Sequence, residues 1–502
     1  MKKKNIVSAI FSVTGVIFLA KLLGFVKQMV VSSAFGATLE TDLINLSQEF
    51  IGNIQYILVQ VLLTSVIPLY IYLSQDNEGK AKRFVADTIK VFTLIAGSLV
   101  AILLIAAPWI ARIIAPTYSP EVSAALSGYL RFFAPGLFLF ALIAIFQSLM
   151  NANKRFVPGE MIGLNQSIII IALVFLFKDI LGVKILCVAF FAYSIFNALY
   201  LGLLSKRYWR LSSGNPFANE SIKKLLKVIA PLLLGHSAVY INQQVNKILV
   251  SSMAPGTVTS LSYATVLCNL VVTFIVSFSS ILFSYVTSHL SNRKEKQAAD
   301  LTKTTVTLMV AILLPISILV IICAEDIVSI AFGRGAFGAD SVRAAGLALA
   351  GYGFIFIPSV LREVFSRFLY SYQNTRTPSV NSAISIGANI GLSILLYRPL
   401  GVFGVTLAAS AAELVCGVLN LISARKHNAY LQIRTMLKNV PFLLVGGVVC
   451  FFISKWAVGY WADSSSFVRF AMTTLLAFIG YFVIICPLLY RLLKERKQLN
   501  EA

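Results

Sequence analysis

Long apolar segments follow one another along almost the whole chain, and we count fourteen that are long enough to cross a bilayer. About 20 apolar residues cross a bilayer as an α-helix, because lipid offers no partners for unpaired backbone N–H and C=O groups. Charged residues make up 12% of the chain, against about 25% in a soluble domain. These features exclude a soluble enzyme. They predict an all-α polytopic membrane protein with 14 transmembrane helices.

The distribution of basic residues predicts how these helices are oriented. Of the 42 Lys and Arg residues, 27 fall in alternate connections, 8 fall in the remaining connections, and 7 lie within helices. Basic residues accumulate in cytoplasmic loops. We therefore expect a multi-pass plasma-membrane protein with both termini in the cytoplasm. The same rule accounts for most of the net charge of +22, so nucleic-acid binding is not needed to explain it.

Short sequence matches recur at an offset of about 219 residues. Val31-Ser-Ser33 recurs as Val250-Ser-Ser252, and Gly182-Val183 recurs as Gly401-Val402. These matches predict two six-helix lobes in a parallel pseudo-repeat plus two C-terminal helices. The alternative is chance matching in low-complexity apolar sequence. The predicted domains are an N-terminal lobe at 1–210, a C-terminal lobe at 211–430, and helices 13 and 14 with a cytoplasmic tail at 431–502.

The first apolar segment carries two lysines, Lys21 and Lys27. A charged side chain at mid-membrane costs about 2.5–3.5 kcal/mol even on a lenient scale. The two positions lie about 120° apart around a helix axis. Arg131 and Lys247 fall in the outer third of the membrane, and Lys247 occupies the repeat position that matches Gln28. We interpret these residues as part of a cavity with excess positive charge that binds an anionic headgroup, because Arg and Lys suit phosphate.

Acidic residues within the predicted helices are fewer than basic ones. Glu363 adjoins Arg362, Glu413 lies alone in helix 12, and Asp42 and Glu49 lie near the start of helix 2. One alternative is therefore that the buried charges pair with each other and only hold helices together. Glu413 is a candidate coupling-ion or proton site, with a simple interhelical hydrogen bond as the other interpretation.

Motifs for catalysis and for metal binding are absent from the sequence. There is no phosphate-binding glycine loop, no nucleophile elbow and no zinc-ligand spacing, and the six cysteines lie far apart. We therefore expect a transporter without a cofactor or metal, not an enzyme. Asn246 and Asn389 are weaker candidates for ion coupling, and His236 is the one histidine with a candidate role in a cavity.

Several motifs resemble those of a known family. Lys21-Leu-Leu-Gly-Phe-Val-Lys27-Gln28, followed by Phe35-Gly-Ala37 and Asp42, resembles the N-terminal signature of the MurJ/MviN family of lipid II flippases. Gly333-Arg-Gly-Ala-Phe337 and Tyr370-Ser-Tyr-Gln-Asn-Thr-Arg-Thr-Pro378 are similar to motifs of its second half. The resemblance covers essentially the whole chain. It implies the multidrug/oligosaccharidyl-lipid/polysaccharide exporter fold, with a central cationic cavity that takes a lipid-linked precursor from the inner leaflet.

The chain departs from the family pattern at some of these positions, like a divergent member. Two family arginines are lysines here, Lys21 and Lys27, which keep the charge but lose the bidentate geometry of arginine. The acid that follows the second is Gln28, and Gln55 aligns loosely with a family arginine of helix 2. In helix 8, Thr265 and Val266 replace an Asp and an Arg.

Charges and resemblance together predict a flippase that moves an undecaprenyl-pyrophosphate-linked peptidoglycan precursor, lipid II or a close relative, to the outer leaflet by alternating access. Alternatives are an exporter of another lipid-linked oligosaccharide, a multidrug/cation antiporter, and a non-transporting scaffold. Expected partners are this polyprenyl-pyrophosphate-linked glycan, the bilayer and cell-wall synthesis proteins. The expected drive is the membrane potential, with or without coupled Na+ or H+. The residues predicted to bind substrate are Lys21, Lys27, Gln28, Asp42, Gln55, Arg131, Lys247 and Arg362.

Overall fold

The structure is a computed structural model that describes residues 3–210, 214–432 and 438–501, without the side chains of 3–14, 230–232, 234–243 and 489–501. Every regular element in these ranges is helical. The α-helices are α1 (Lys3–Phe35), α2 (Leu39–Asp76), α3 (Glu78–Ile114), α4 (Pro120–Phe133), α5 (Gly136–Ala152), α6 (Val157–Leu181), α7 (Ile185–Ser205), α8 (Glu220–Ser251), α9 (Thr257–Ser291), α10 (Glu295–Ile322), α11 (Ala324–Phe332), α12 (Ala339–Gly353), α13 (Phe356–Ser371), α14 (Arg376–His427), α15 (Val440–Tyr460) and α16 (Ser466–Glu501).

Polar residues with capping side chains set the starts of several helices. Thr38 precedes α2 and forms a capping box with Thr41, in which each side chain bonds the other residue's backbone N–H. Asn77 accepts from the first backbone N–H groups of α3, and Ser119, followed by Pro120, caps α4. These side chains satisfy donors that a helix leaves unpaired in its first turn. The local sequence therefore determines where these helices begin.

Small residues allow α1 and α6 to pack closely. A methyl group added to Gly24 would lie 3.9 Å from Ser167 Oγ, and one added to Gly163 would lie 3.6 Å from Ala20 Cβ. Ala20 and Gly24 are four residues apart on α1, as are Gly163 and Ser167 on α6. This is the small-xxx-small pattern that drives helix association in lipid. It establishes which face of α1 is covered by α6.

Pro315 leaves one carbonyl of α10 without its usual helical partner. A proline has no N–H, so it cannot donate to the carbonyl four residues earlier, which here belongs to Ala311. The buried Tyr481 hydroxyl of α16 donates to the Ala311 carbonyl at 2.7 Å. A neighbouring helix thus satisfies the freed carbonyl, as the absence of water in lipid requires.

Backbone geometry supports the 219-residue repeat. Gly182 and Gly401 adopt nearly identical conformations, with φ 55° and ψ −144° in one and φ 58° and ψ −141° in the other. Lys154 and Gln373, which are also 219 residues apart, share φ values of 60° and 58°. The break between α4 and α5 has a counterpart between α12 and α13. The shared φ of Lys154 and Gln373 and the matching helix breaks do not depend on the residue identities that suggested the repeat.

The structure confirms a helical protein with several membrane spans, but it does not confirm the predicted number of fourteen. In the described part of the chain, nine helical stretches are long and apolar enough to cross a membrane, or ten if the bent pair α12 and α13 is one span. That pair is bent by 45°. The long stretch α14 consists of two helices that meet at a kink at Gly401, where the backbone is not helical.

The chain divides into two compact units. Unit 1 contains Met1–Thr259 and Gly335–Phe337, and unit 2 contains Ser260–Arg334 and Gly338–Ala502. The core of unit 1 is built from α2, α3, α5, α6 and α7 with the start of α8. One core of unit 2 joins α10 to α15 and α16 around Tyr481. The predicted domains at 1–210, 211–430 and 431–502 stay a prediction.

Candidate functional site

Lys21 and Lys27 flank the face of α1 that packs on α6. Each lies three residues from Gly24, so the two side chains leave the helix about 60° to either side of the contact. Lys21 is exposed and Lys27 is half-buried. Among the described residues, neither lysine has an acidic side chain within ion-pair distance. Two compact ammonium groups placed in this way attract an anion such as a phosphate.

Apart from Lys21, the exposed side chains on the described part of α1 are apolar. Phe18, Leu19, Leu22 and Val26 are all more than a third exposed and lie away from the contact with α6. Gln28 is half-buried and falls on the same side of the helix as Lys21. This helix therefore offers an anion two positive charges and one amide against an apolar background.

Lys247 is paired with an acid. Its ammonium group on α8 forms an ion pair with the carboxylate of Glu49 on α2, and Asp42 lies within electrostatic reach. All three residues belong to unit 1. Lys247 therefore reaches an incoming anion only in competition with Glu49. The sequence named Glu49 among the acids available to pair with buried cations, but it did not indicate that its partner is Lys247.

Asp42 is buried and both of its carboxylate oxygens are occupied. They accept the backbone N–H groups of Gly256 and Thr259, each at 2.7 Å, at the start of α9. Asn45 adds a hydrogen bond from its amide to the Thr259 hydroxyl at 2.9 Å. Asp42 thus holds the first turn of α9 against α2. Its predicted part in substrate binding stays a prediction.

Arg131 donates a hydrogen bond to a carbonyl that a proline leaves without its helical partner. Pro108 of α3 cannot donate to the Leu104 carbonyl, and Arg131 Nε of α4 donates to that carbonyl at 3.0 Å. The arrangement parallels the bond of Tyr481 to Ala311. Arg131 therefore has a local role in the packing of α3 and α4, while its role toward substrate stays a prediction.

Glu413 has a basic partner on another helix. Arg362 Nε of α13 contacts Glu413 Oε2 of α14 at 2.5 Å, and its Nη2 contacts Glu363 Oε1 at 2.8 Å. Arg367 Nη2 contacts the other Glu363 oxygen at 3.3 Å. Glu413 and Arg362 are far apart in sequence, so only the packing of α13 on α14 shows the pair. Lys247 and Arg362 are therefore paired internally, as one alternative predicted. Within the described structure, Lys21 and Lys27 have no such ion pair.

The other predicted residues occupy separate places. Gln55 and Asn246 are half-buried on α2 and α8. Asn389 is buried on α14, where its side-chain oxygen accepts from the Ser393 hydroxyl at 3.3 Å. The side chain of His236 lies outside the described residues. Of the predicted residues, the structure brings together Asp42 with Lys247, and Arg362 with Glu413.

Comparison with known proteins extends over almost the whole chain. Residues 31–495 match the family model of the lipid II flippase MurJ. The chain is 24% identical to a probable lipid II flippase MurJ of Borreliella burgdorferi, with 98% of this chain and 99% of that protein covered. It is 22% identical to a probable lipid II flippase MurJ of Rhizobium tropici, with 96% of this chain and 94% of that protein covered. A match to the relative in Treponema pallidum is 24% identical and spans 64% of that protein.

Solved structures show the same fold. One is a lipid II flippase MurJ in an inward closed conformation, with a TM-score of 0.81 and 21% identity over 95% of this chain and 98% of that one. Another is a multidrug resistance MATE family transporter in an inward-facing conformation, with a TM-score of 0.70 and 14% identity over 82% and 95% of the two chains. The family model spans nearly the full sequence, so the chain belongs to the MurJ family of lipid II flippases.

Proposed function

We propose that this chain is a flippase that moves lipid II, a polyprenyl-linked glycan, from the inner to the outer leaflet by alternating access. The observation that carries the proposal is the match of residues 31–495 to the family of lipid II flippases. The two cations of α1, which have no acidic partner in the described chain, add to it. The protein is then a transporter and not an enzyme.

Within this proposal, the pyrophosphate of the substrate binds first to the cations of α1. Lys21 and Lys27 supply positive charge, and Gln28 and Gln55 supply hydrogen bonds. Lys247 binds the substrate after its ion pair with Glu49 breaks. Arg362 contacts the substrate in the inner half of the path. Asp42 and Arg131 shape the path through the contacts that they make with α9 and α3.

The proposal also includes fourteen membrane spans, both termini in the cytoplasm and contacts with cell-wall synthesis proteins. The membrane potential drives transport, because moving one negative charge outward across an inside-negative membrane gains about 2.3 kcal/mol per 100 mV. Na+ or H+ is the candidate coupled ion, with Glu413, Asn246 and Asn389 as candidate ligands.

Complementation of a bacterial strain depleted of its own lipid II flippase tests the proposal. We expect the natural chain to restore growth, and Lys21→Ala and Lys27→Ala to abolish rescue at matched membrane levels. Lys178→Ala is the matched control, because Lys178 is exposed near the C-terminal end of α6, and it should rescue fully. Rescue by all three variants would refute the role given to α1.

A second candidate is export of another polyprenyl-pyrophosphate-linked glycan, such as a capsule or exopolysaccharide repeat unit. It is favoured by Thr265, which stands where the family has an acid and whose hydroxyl bonds the Tyr352 hydroxyl at 3.3 Å. A natural chain that reaches the membrane but fails to rescue the depleted strain would point to this function.

A further inference from the structure

Four charged side chains form a cluster between α13 and α14 in unit 2. Arg362 contacts Glu413 at 2.5 Å and Glu363 at 2.8 Å, and Arg367 contacts Glu363 at 3.3 Å. Two guanidinium groups thus face two carboxylates, and the cluster has no net charge when all four groups are ionised. About a third of the Arg362 side chain (32%) and a quarter of the Glu413 side chain (25%) are exposed. The two contacting atoms, Arg362 Nε and Glu413 Oε2, are themselves buried, so an anion first meets the exposed part of the Arg362 side chain.

The two acids are not equivalent. Glu363 contacts both arginines, so it keeps Arg367 as a partner if Arg362 turns away. Glu413 contacts Arg362 and, among the described residues, no other cation. Loss of Arg362 would therefore leave Glu413 as an unpaired carboxylate within the membrane.

No further acid of the neighbouring helices takes part in the cluster as the structure describes it. Cys268 of α9 lies near Glu413, and Tyr352 of α12 lies next to Cys268. On α10, which also packs on α13, Asp300 and Lys303 pair with each other at 2.7 Å. The remaining titratable side chains in electrostatic contact with the cluster are Tyr370 of α13 and Cys416 of α14.

Guanidinium is the side-chain group best suited to phosphate, since it presents parallel N–H donors to two oxygens. A pyrophosphate that takes the place of Glu413 on Arg362 adds two negative charges to a neutral cluster. An isolated charge in an apolar environment is so costly that a carboxylate takes a proton instead. One proton on Glu413 removes the unpaired charge at the least cost.

We propose that Arg362 exchanges Glu413 for the pyrophosphate of the substrate, and that Glu413 takes up one proton for each substrate bound. The inference rests on the proposed function and adds a proton to its binding step. The proton comes from the aqueous phase and returns to it when Arg362 and Glu413 pair again. No covalent bond forms or breaks. Binding therefore weakens as the pH rises, because the free protein holds one proton fewer than the complex.

Binding of lipid II to the purified full chain in nanodiscs, measured by titration calorimetry, tests the exchange. In two buffers of different ionisation enthalpy, we expect uptake of one proton per lipid II. The affinity should fall about tenfold per pH unit between about pH 6 and pH 8. Both effects should vanish in Glu413→Gln, in which position 413 cannot titrate. Glu363→Gln is the matched control, since it removes the other acid on Arg362, and it should keep the proton uptake.

The possible results separate the two proposals. Failure of the natural chain to bind lipid II would overturn the proposed function together with the exchange. Binding without proton uptake would overturn the exchange alone. Proton uptake that persists in Glu413→Gln would also overturn it, because another group would then carry the proton. Should Glu413→Gln fail to fold, uptake of fewer than about 0.3 protons by the natural chain is by itself the contradicting result.

Discussion

Two prolines explain the hydrogen bonds of two distant side chains. Pro108 frees the Leu104 carbonyl for Arg131, and Pro315 frees the Ala311 carbonyl for Tyr481. In lipid, each freed carbonyl needs a donor from a neighbouring helix. Arg131, which the sequence predicts to bind substrate, thus also donates a hydrogen bond to an unpaired carbonyl of the adjacent helix.

We predict that Tyr481→Phe destabilises the protein by about 1–2 kcal/mol, because the Ala311 carbonyl loses its donor. In a Pro315→Ala background, the backbone N–H of residue 315 supplies that donor, so the same substitution should cost much less. Unfolding of the four variants in mixed micelles measures this as a double-mutant cycle. An equal cost in both backgrounds would show that the hydroxyl stabilises the protein in another way.

At the scale of the element, two glycines bend the chain at equivalent points of the repeat. Gly182 separates α6 from α7, and Gly401 kinks α14, both with positive φ and ψ near −140°. A side chain rarely adopts this conformation. No other atom lies within 4 Å of a Cβ built at either position. The requirement for glycine is therefore one of backbone conformation and not of space.

We predict that Gly182→Ala and Gly401→Ala each destabilise the protein by about 1–3 kcal/mol through backbone strain. Gly387→Ala is the matched control, because Gly387 lies inside α14 with an ordinary helical φ and also has nothing within 4 Å of its built Cβ. The control should leave the thermal midpoint unchanged or raise it. If all three variants behave alike in thermal unfolding, positive φ is not the reason for glycine at these sites.

At the scale of the whole molecule, the unequal distribution of basic residues predicts an orientation that is open to direct measurement. The connection around residue 75 belongs to the basic set, and the connection around residue 117 to the other. Gln75 and Thr117 are both exposed. They therefore suit labelling from one side of the membrane.

In a background without the exposed Cys486, we expect Thr117→Cys to react with a membrane-impermeant maleimide in intact spheroplasts. Gln75→Cys should react only after the membrane is permeabilised, because positive loops stay in the cytoplasm. The reverse pattern would place the basic connections outside and refute the predicted orientation.

The sequence predicted some residues of the candidate site but not the contacts that they make. Lys21 and Lys27 were found because a charge within an apolar segment is costly and therefore conspicuous. The pairs of Lys247 with Glu49 and of Arg362 with Glu413 were not predicted, since the paired residues lie on different helices and many residues apart. The contacts of Asp42 with Gly256 and Thr259 were missed for the same reason.

The sequence by itself determined that this protein is a bundle of apolar helices, where several of them begin, and that two lysines lie within the first. These properties depend on neighbouring residues and on the cost of exposing backbone or charge to lipid. Only the tertiary structure decided which charges are paired, as for Arg362 with Glu413. Pairing depends on which helix faces meet in space, and similar apolar segments carry little information about that choice.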